Sequence, residues 1–72
     1  MEVNIGDKVY KDCGACGEEE IWEVESIDDR EYSDGIFKTY HLKAIKHCFS
    51  AGVIHSVKDT EQGWRLYRLK SN

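Results

Sequence analysis

Apolar and polar residues alternate over several short stretches of this chain, and glycines divide them, because proline is absent. Residues 7–11 read as a first strand, opened by Ile5-Gly6-Asp7. A loop, Asp12-Cys13-Gly14-Ala15-Cys16-Gly17, follows and runs into Glu18, Glu19 and Glu20. Over residues 21–27 the two-residue rhythm returns, with Trp22 and Val24 on one face and Glu23 and Glu25 on the other. Ile21 and Ile27 fall on the charged face, so the strand is expected to twist or end near them. Residues 28–35 form a polar connection that ends in an Asp-Gly turn signal, Asp34-Gly35.

Strand character resumes at residues 36–40. Residues 41–49 admit two readings: a continued strand, or a short helix with Leu42, Ile45 and Phe49 on one face and Gly52 as its stop. The strand is preferred because hairpin patterning continues directly afterwards. Residues 53–58 and 64–69 then read as two strands joined by Asp59-Thr60-Glu61-Gln62-Gly63.

Five or six short strands at this spacing predict a mostly β protein, a small closed barrel. The alternative is an α+β domain with the short helix near 41–49. The opening Ile5-Gly6-Asp7-Lys8-Val9-Tyr10 resembles the first strand of SH3-like barrels, and Trp22-Glu23-Val24-Glu25-Ser26-Ile27 resembles their second strand after a long first loop. The resemblance covers about the first forty residues. It implies binding, since SH3-like barrels mostly bind proteins or nucleic acids.

Length agrees with one domain over residues 1–72. A chain this short buries only about 60% of the surface its unfolded form exposes, so its core is modest. Such chains often add a metal, a disulfide or a partner. No apolar run approaches the roughly 18 residues needed to cross a bilayer. The start, Met1-Glu2-Val3-Asn4, lacks the basic and apolar regions of a secretory signal, and a cytoplasmic location is expected. Three cysteines, two of them only three positions apart, point to thiols or metal ligands in a reducing compartment.

The net charge of −4 conceals an asymmetry. Residues 1–35 hold three basic and twelve acidic groups, a balance of −9, whereas residues 36–72 hold seven and two, a balance of +5. The simplest account sets acidic strands beside basic ones, where opposite charges across a ladder stabilise by about 0.2–1 kcal/mol each.

Three kinds of binding chemistry follow from these residues. The first is protein binding through the acidic half and its turn aromatic: Glu18, Glu19, Glu20, Glu23, Glu25 and Tyr32. The second is a zinc staple on the Cys13-Gly14-Ala15-Cys16-Gly17 knuckle, whose small residues let the backbone wrap a tetrahedral ion. A two-residue loop at Ala51-Gly52 would set Cys48 opposite His55, completing a Cys13, Cys16, Cys48, His55 set. A three-residue loop would set His47 opposite His55 instead. The third is nucleic-acid binding through Lys38, Lys43, Lys46, Arg65, Tyr67 and Arg68, with basic groups on phosphates and the aromatic on unpaired bases. An isoelectric point near 5.2 opposes it.

A thioredoxin-like reading of Cys13 and Cys16 is disfavoured, because that fold needs a cis-proline and glycine after Cys16 starts a helix poorly. No serine sits in a nucleophile-elbow context, and the acidic residues are too numerous to single out an acid and a base. The expectation is therefore a non-catalytic interaction module, with a protein as partner, no membrane, and zinc as its one candidate cofactor.

Overall fold

In the computed structural model, which describes residues 3–12, 17–47 and 51–68, the chain forms a four-stranded antiparallel sheet. Its strands are β1 (Lys8–Asp12), β2 (Glu19–Tyr32), β3 (Gly35–Lys46) and β4 (Ile54–Lys58), in the spatial order β1-β2-β3-β4. The mostly β expectation holds, and 41–46 continues as strand, so the helical alternative near 41–49 does not form over those residues. No helix among the described residues is long and apolar enough to cross a membrane.

The strand boundaries differ from the pattern in one instructive place. Residues 28–32 belong to β2, and the hairpin turn is confined to Ser33 and Asp34 between paired Tyr32 and Gly35. Among the described residues none other than glycine has a positive φ, and Gly35, at +130°, takes the backbone conformation that closes this turn.

Two irregularities in the β2–β3 ladder explain the apolar residues that seemed misplaced. Between Val24 and Ser26 the register shifts, leaving Glu25 as an extra residue on β2. An extra residue reverses the facing of everything beyond it. Ile27 therefore rejoins the side of Trp22 and Val24, pairs with buried Tyr40, and packs on the core. Between Ile21 and Trp22 the extra residue is Ile45 on β3, which is exposed. These bulges also bend the sheet. A straight 14-residue strand would span about 46 Å, yet the longest dimension of the molecule is 36 Å.

The core lies on the concave side of the bent sheet: Val3, Val9, Trp22, Val24, Tyr40, Leu42, Ala44, Val57 and Trp64. Trp64 reaches it from the segment that follows β4. Over residues 61–68 the expected hairpin loop and strand are replaced by a single helical turn, α1 (Glu61–Trp64), then a turn and an isolated antiparallel bridge between Arg68 and Tyr10, while the last position of the expected 64–69 strand lies outside the described residues. Two backbone hydrogen bonds make that bridge, Tyr10 N–H to Arg68 O at 2.8 Å and Arg68 N–H to Tyr10 O at 2.9 Å. The pattern misled because Asp59 and Thr60 serve as helix-start residues rather than loop residues. The Thr60 hydroxyl accepts from Gly63 N–H at 3.0 Å, and the Asp59 carboxylate accepts from Trp64 Nε1 at 3.1 Å. Leu66 in this segment is 58% exposed.

The turn packs so closely on the end of β4 that a Cβ built on Gly63 would collide with the Lys58 carbonyl oxygen. A side chain there must push α1 away from the sheet and draw Trp64 with it. Gly63→Ala is expected to destabilise the protein by about 1–3 kcal/mol, the usual cost of overpacking. Urea denaturation followed by tryptophan fluorescence would measure it, and an unchanged midpoint would contradict the close approach.

Candidate interaction surface

Most of the acidic strip is engaged within the fold. Glu20, 6% exposed, accepts from Trp22 Nε1 at 3.0 Å and lies 3.4 Å from His47 Nε2. Its position follows from the sheet: two residues before Trp22 on β2, it shares the concave side and meets the indole edge. Glu19 and Asp12, paired at the ends of β2 and β1, both accept from the Arg68 guanidinium, which raises the arginine further above its ordinary pKa. Glu23 pairs with Lys8 at 3.5 Å across the ladder, and Glu18 lies 3.9 Å from Lys46. Acidic strands do stand beside basic groups, as the charge asymmetry suggested. Of the six residues expected to bind protein, Glu25 is exposed and Tyr32 is half-buried at the hairpin tip.

The metal-ligand candidates divide. Cys13, Cys16 and Cys48 lie outside the described residues. His55 pairs with Leu42, so neither register that would set it opposite Cys48 or His47 forms. The connection is longer than either two or three residues, with Ala44 hydrogen-bonded to Val53 and Gly52. Both histidines instead pack on Trp22: His55 stacks at 4.5 Å and His47 meets it edge-on at 5.7 Å. Among the described residues alone, no three His, Cys, Asp or Glu side chains gather in a metal-binding group.

The nucleic-acid candidates are scattered. Tyr67 packs edge-on against Trp22 and Trp64, under the Lys11 ammonium, and its burial pushes its hydroxyl pKa up. Arg68 is held by two carboxylates, while Lys38, Lys43 and Arg65 are exposed. A surface hollow of about 320 Å³ is lined by Lys11, Asp12, Arg65, Leu66, Tyr67 and Arg68.

The convex face of β2, β3 and β4 carries what sequence reasoning missed. Cross-strand pairing sets Asp28, Thr39 and Lys58 in one row, Arg30 beside Phe37, and His41 beside Ser56. His41 bridges neighbours on two strands, with Nδ1 2.9 Å from Ser56 Oγ and Nε2 3.0 Å from Asp28 Oδ2. Thr39, fully buried beneath this layer, shares a 2.6 Å hydrogen bond with the Tyr32 hydroxyl. At the hairpin tip the Lys58 ammonium sits 4.7 Å from the Tyr32 ring centroid and 4.3 Å from that of Phe37. It donates to both oxygens of Asp34, at 2.7 and 2.8 Å. Thirteen or more residues separate the partners in each side-chain contact of His41 and Lys58, so no local motif could announce them.

The convex layer adjoins an arm. β1 pairs only with residues 19–23 of β2, and β4 only with residues 39–43 of β3. Beyond them β2 and β3 continue as a two-stranded hairpin. From Glu25 to Lys38 it carries five acidic residues (Glu25, Asp28, Asp29, Glu31, Asp34) and two basic ones (Arg30, Lys38). Ile36, at its tip, is 70% exposed. No protein-family model matches the chain, and no curated protein or solved structure matches it significantly.

The hydrogen bonds from Lys58 hold the Asp34 carboxyl below its ordinary pKa. A carboxyl depressed on folding contributes stability that is present above its unfolded pKa and lost as pH falls through its folded one. In Lys58→Met the Asp34 pKa is expected to rise toward the ordinary carboxylate value. The stability difference between the two proteins should then shrink as acid protonates Asp34. Because Asp34 is solvent-exposed, 1 M salt should shrink it too. Carboxyl NMR titration checks this, and an unmoved Asp34 in the variant would contradict the pairing.

Proposed function

We infer that this protein is a non-catalytic interaction module that docks a basic protein partner on the acidic β2–β3 arm. The observation that carries the reading is the length mismatch between strands. β1 and β4 have five residues each, while β2 and β3 have fourteen and twelve. Residues 29–38 bury none of the core side chains, so folding alone does not call for them. A partly unpaired, acidic strand edge with an apolar tip offers backbone groups and complementary charge to an extended basic segment. Relative to the sequence expectation, the binding surface shifts along β2. Glu18, Glu19, Glu20 and Glu23 are occupied within the fold, and the interface passes to Glu25, Asp29, Glu31, Tyr32 and Ile36.

The frame that holds the arm we read as a small SH3-like barrel. Support comes from the meander β1 to β4, the helical turn after β4, and the return of residues 65–68 to bridge β1 at Tyr10. Capture from host lysate tests the function. Bait carrying Asp29→Lys, Glu31→Lys and Ile36→Asp should retain basic partners at least tenfold less than the native bait. Equal retention, or nucleic acid as the main captured species, would contradict the reading.

A zinc staple remains a second proposal, favoured by one feature of the sheet. The loop between β1 and β2, which contains Cys13 and Cys16, starts at Asp12 and returns at Glu19. The connection containing Cys48 leaves from Lys46, whose pairing with Ile21 puts it at the same end of the sheet. His47 sits at that end against Glu20 and Trp22. This arrangement makes His47 the better fourth ligand beside Cys13, Cys16 and Cys48, and His55 the alternative. Structural zinc contributes directly to folding energy. One equivalent of zinc in purified protein, with a melting temperature lowered by chelator, is the expected result. Metal-free protein with an unchanged melt would end the proposal.

A further inference from the structure

The hairpin tip holds an ammonium group in a manner suited to recognition. Tyr32 and Phe37 stand at 66° to each other with centroids 6.2 Å apart, forming two walls of a notch. Asp34 closes its mouth, and the occupant, the Lys58 side chain, reaches in from β4. Ring faces attract a cation through their quadrupole. The carboxylate adds directional hydrogen bonds that need N–H donors. On the same face the arm adds Asp28, and its Arg30 lies 3.7 Å from Asp28.

We propose that the Tyr32–Phe37–Asp34 notch is a receptor for a lysine side chain of the partner, and that Lys58 is an internal stand-in which the partner displaces. This deepens the basic-partner reading above and rests on it. Three observations carry it. The occupant is itself a lysine ammonium, so the fit of rings and carboxylate to that group is on display. Lys58 is anchored by backbone pairing at the end of β4, where Thr39 is its ladder partner, so its side chain can leave without the strand moving. The Asp34 side chain is 61% exposed, so an incoming ammonium can engage it before Lys58 departs. The contact with both carboxylate oxygens selects a primary ammonium over a quaternary one, which has no proton to donate.

The test uses N-acetyl-lysine methylamide as probe, read by the aromatic carbon and proton shifts of Tyr32 and Phe37. N-acetyl-norleucine methylamide and tetramethylammonium chloride are the comparisons. Lys58→Met and Lys58→Gln empty the notch, and amide dispersion confirms that each variant is folded. Both variants are expected to bind the lysine probe saturably, with a Kd at least tenfold lower than the native protein. Adding Asp34→Asn should abolish that gain, and tetramethylammonium should bind at least fivefold more weakly than the lysine probe. The proposal is overturned if neither folded variant shows saturable shifts, if native protein binds as tightly as they do, or if the norleucine probe gives the same shifts. Because the probe is a single amino acid, a failure here with arm-dependent partner capture intact sinks the notch alone. Loss of that capture with probe binding intact sinks the docking arm instead.

Discussion

Enclosing the indole of Trp22 is the constraint on which the rest of this molecule depends. A chain of 72 residues has a stability of about 4–11 kcal/mol at the usual 0.05–0.15 kcal/mol per residue, and deleting a buried tryptophan costs about 3–5 kcal/mol. One ring therefore accounts for a large share of the margin. It is fully buried, and its neighbours come from separate parts of the chain: Val9 on β1, Ala44 on β3, His55 on β4, and Tyr67 from the segment that returns to β1. Its one polar atom is satisfied by Glu20, two positions earlier on its own strand. To cover this side chain the sheet must bend and the C-terminal segment must come back.

The same constraint explains why the arm is free. Five-residue strands on either side suffice to cover the core, so β1 and β4 stop where it stops. The outer halves of β2 and β3 extend past it, beyond a second, polar layer that Thr39, His41 and Lys58 build on the face of β3 and β4 away from the core. Charge follows that division. Near the core, acidic groups are matched by Arg68, Lys8 and Lys46, which leaves the net negative character concentrated on the hairpin. A stable, internally neutralised base thus presents an acidic, aromatic-tipped element.

The sequence made the strands legible because a half-buried strand needs alternation, and Val9, Trp22, Val24, Tyr40 and Leu42 supply it. Ile27 broke the rhythm for a reason that single positions cannot reveal. A bulge needs one extra residue, and Glu25 looks like any other exposed glutamate until its partner strand is known. The helical turn that ends at Trp64 was not legible, since one turn is too short to establish a 3.6-residue period. The site was less legible still. Lys58, Asp34, Tyr32 and Phe37 meet because β4 lies beside β3 in a particular register. His55 was misplaced for the same reason: a loop assumed to be two or three residues long turned out longer, which put Leu42 opposite it. The acidic strip was correct in composition, but four of its glutamates are committed to partners that only the folded chain supplies.

Hydrogen exchange at the Trp22 indole Nε1–H tests the enclosure most directly. Buried and bonded to Glu20, this proton should exchange as slowly as the amides of Val24 and Leu42, through global unfolding alone. Exchange at the rate of an exposed indole, while those amides stay protected, would contradict it.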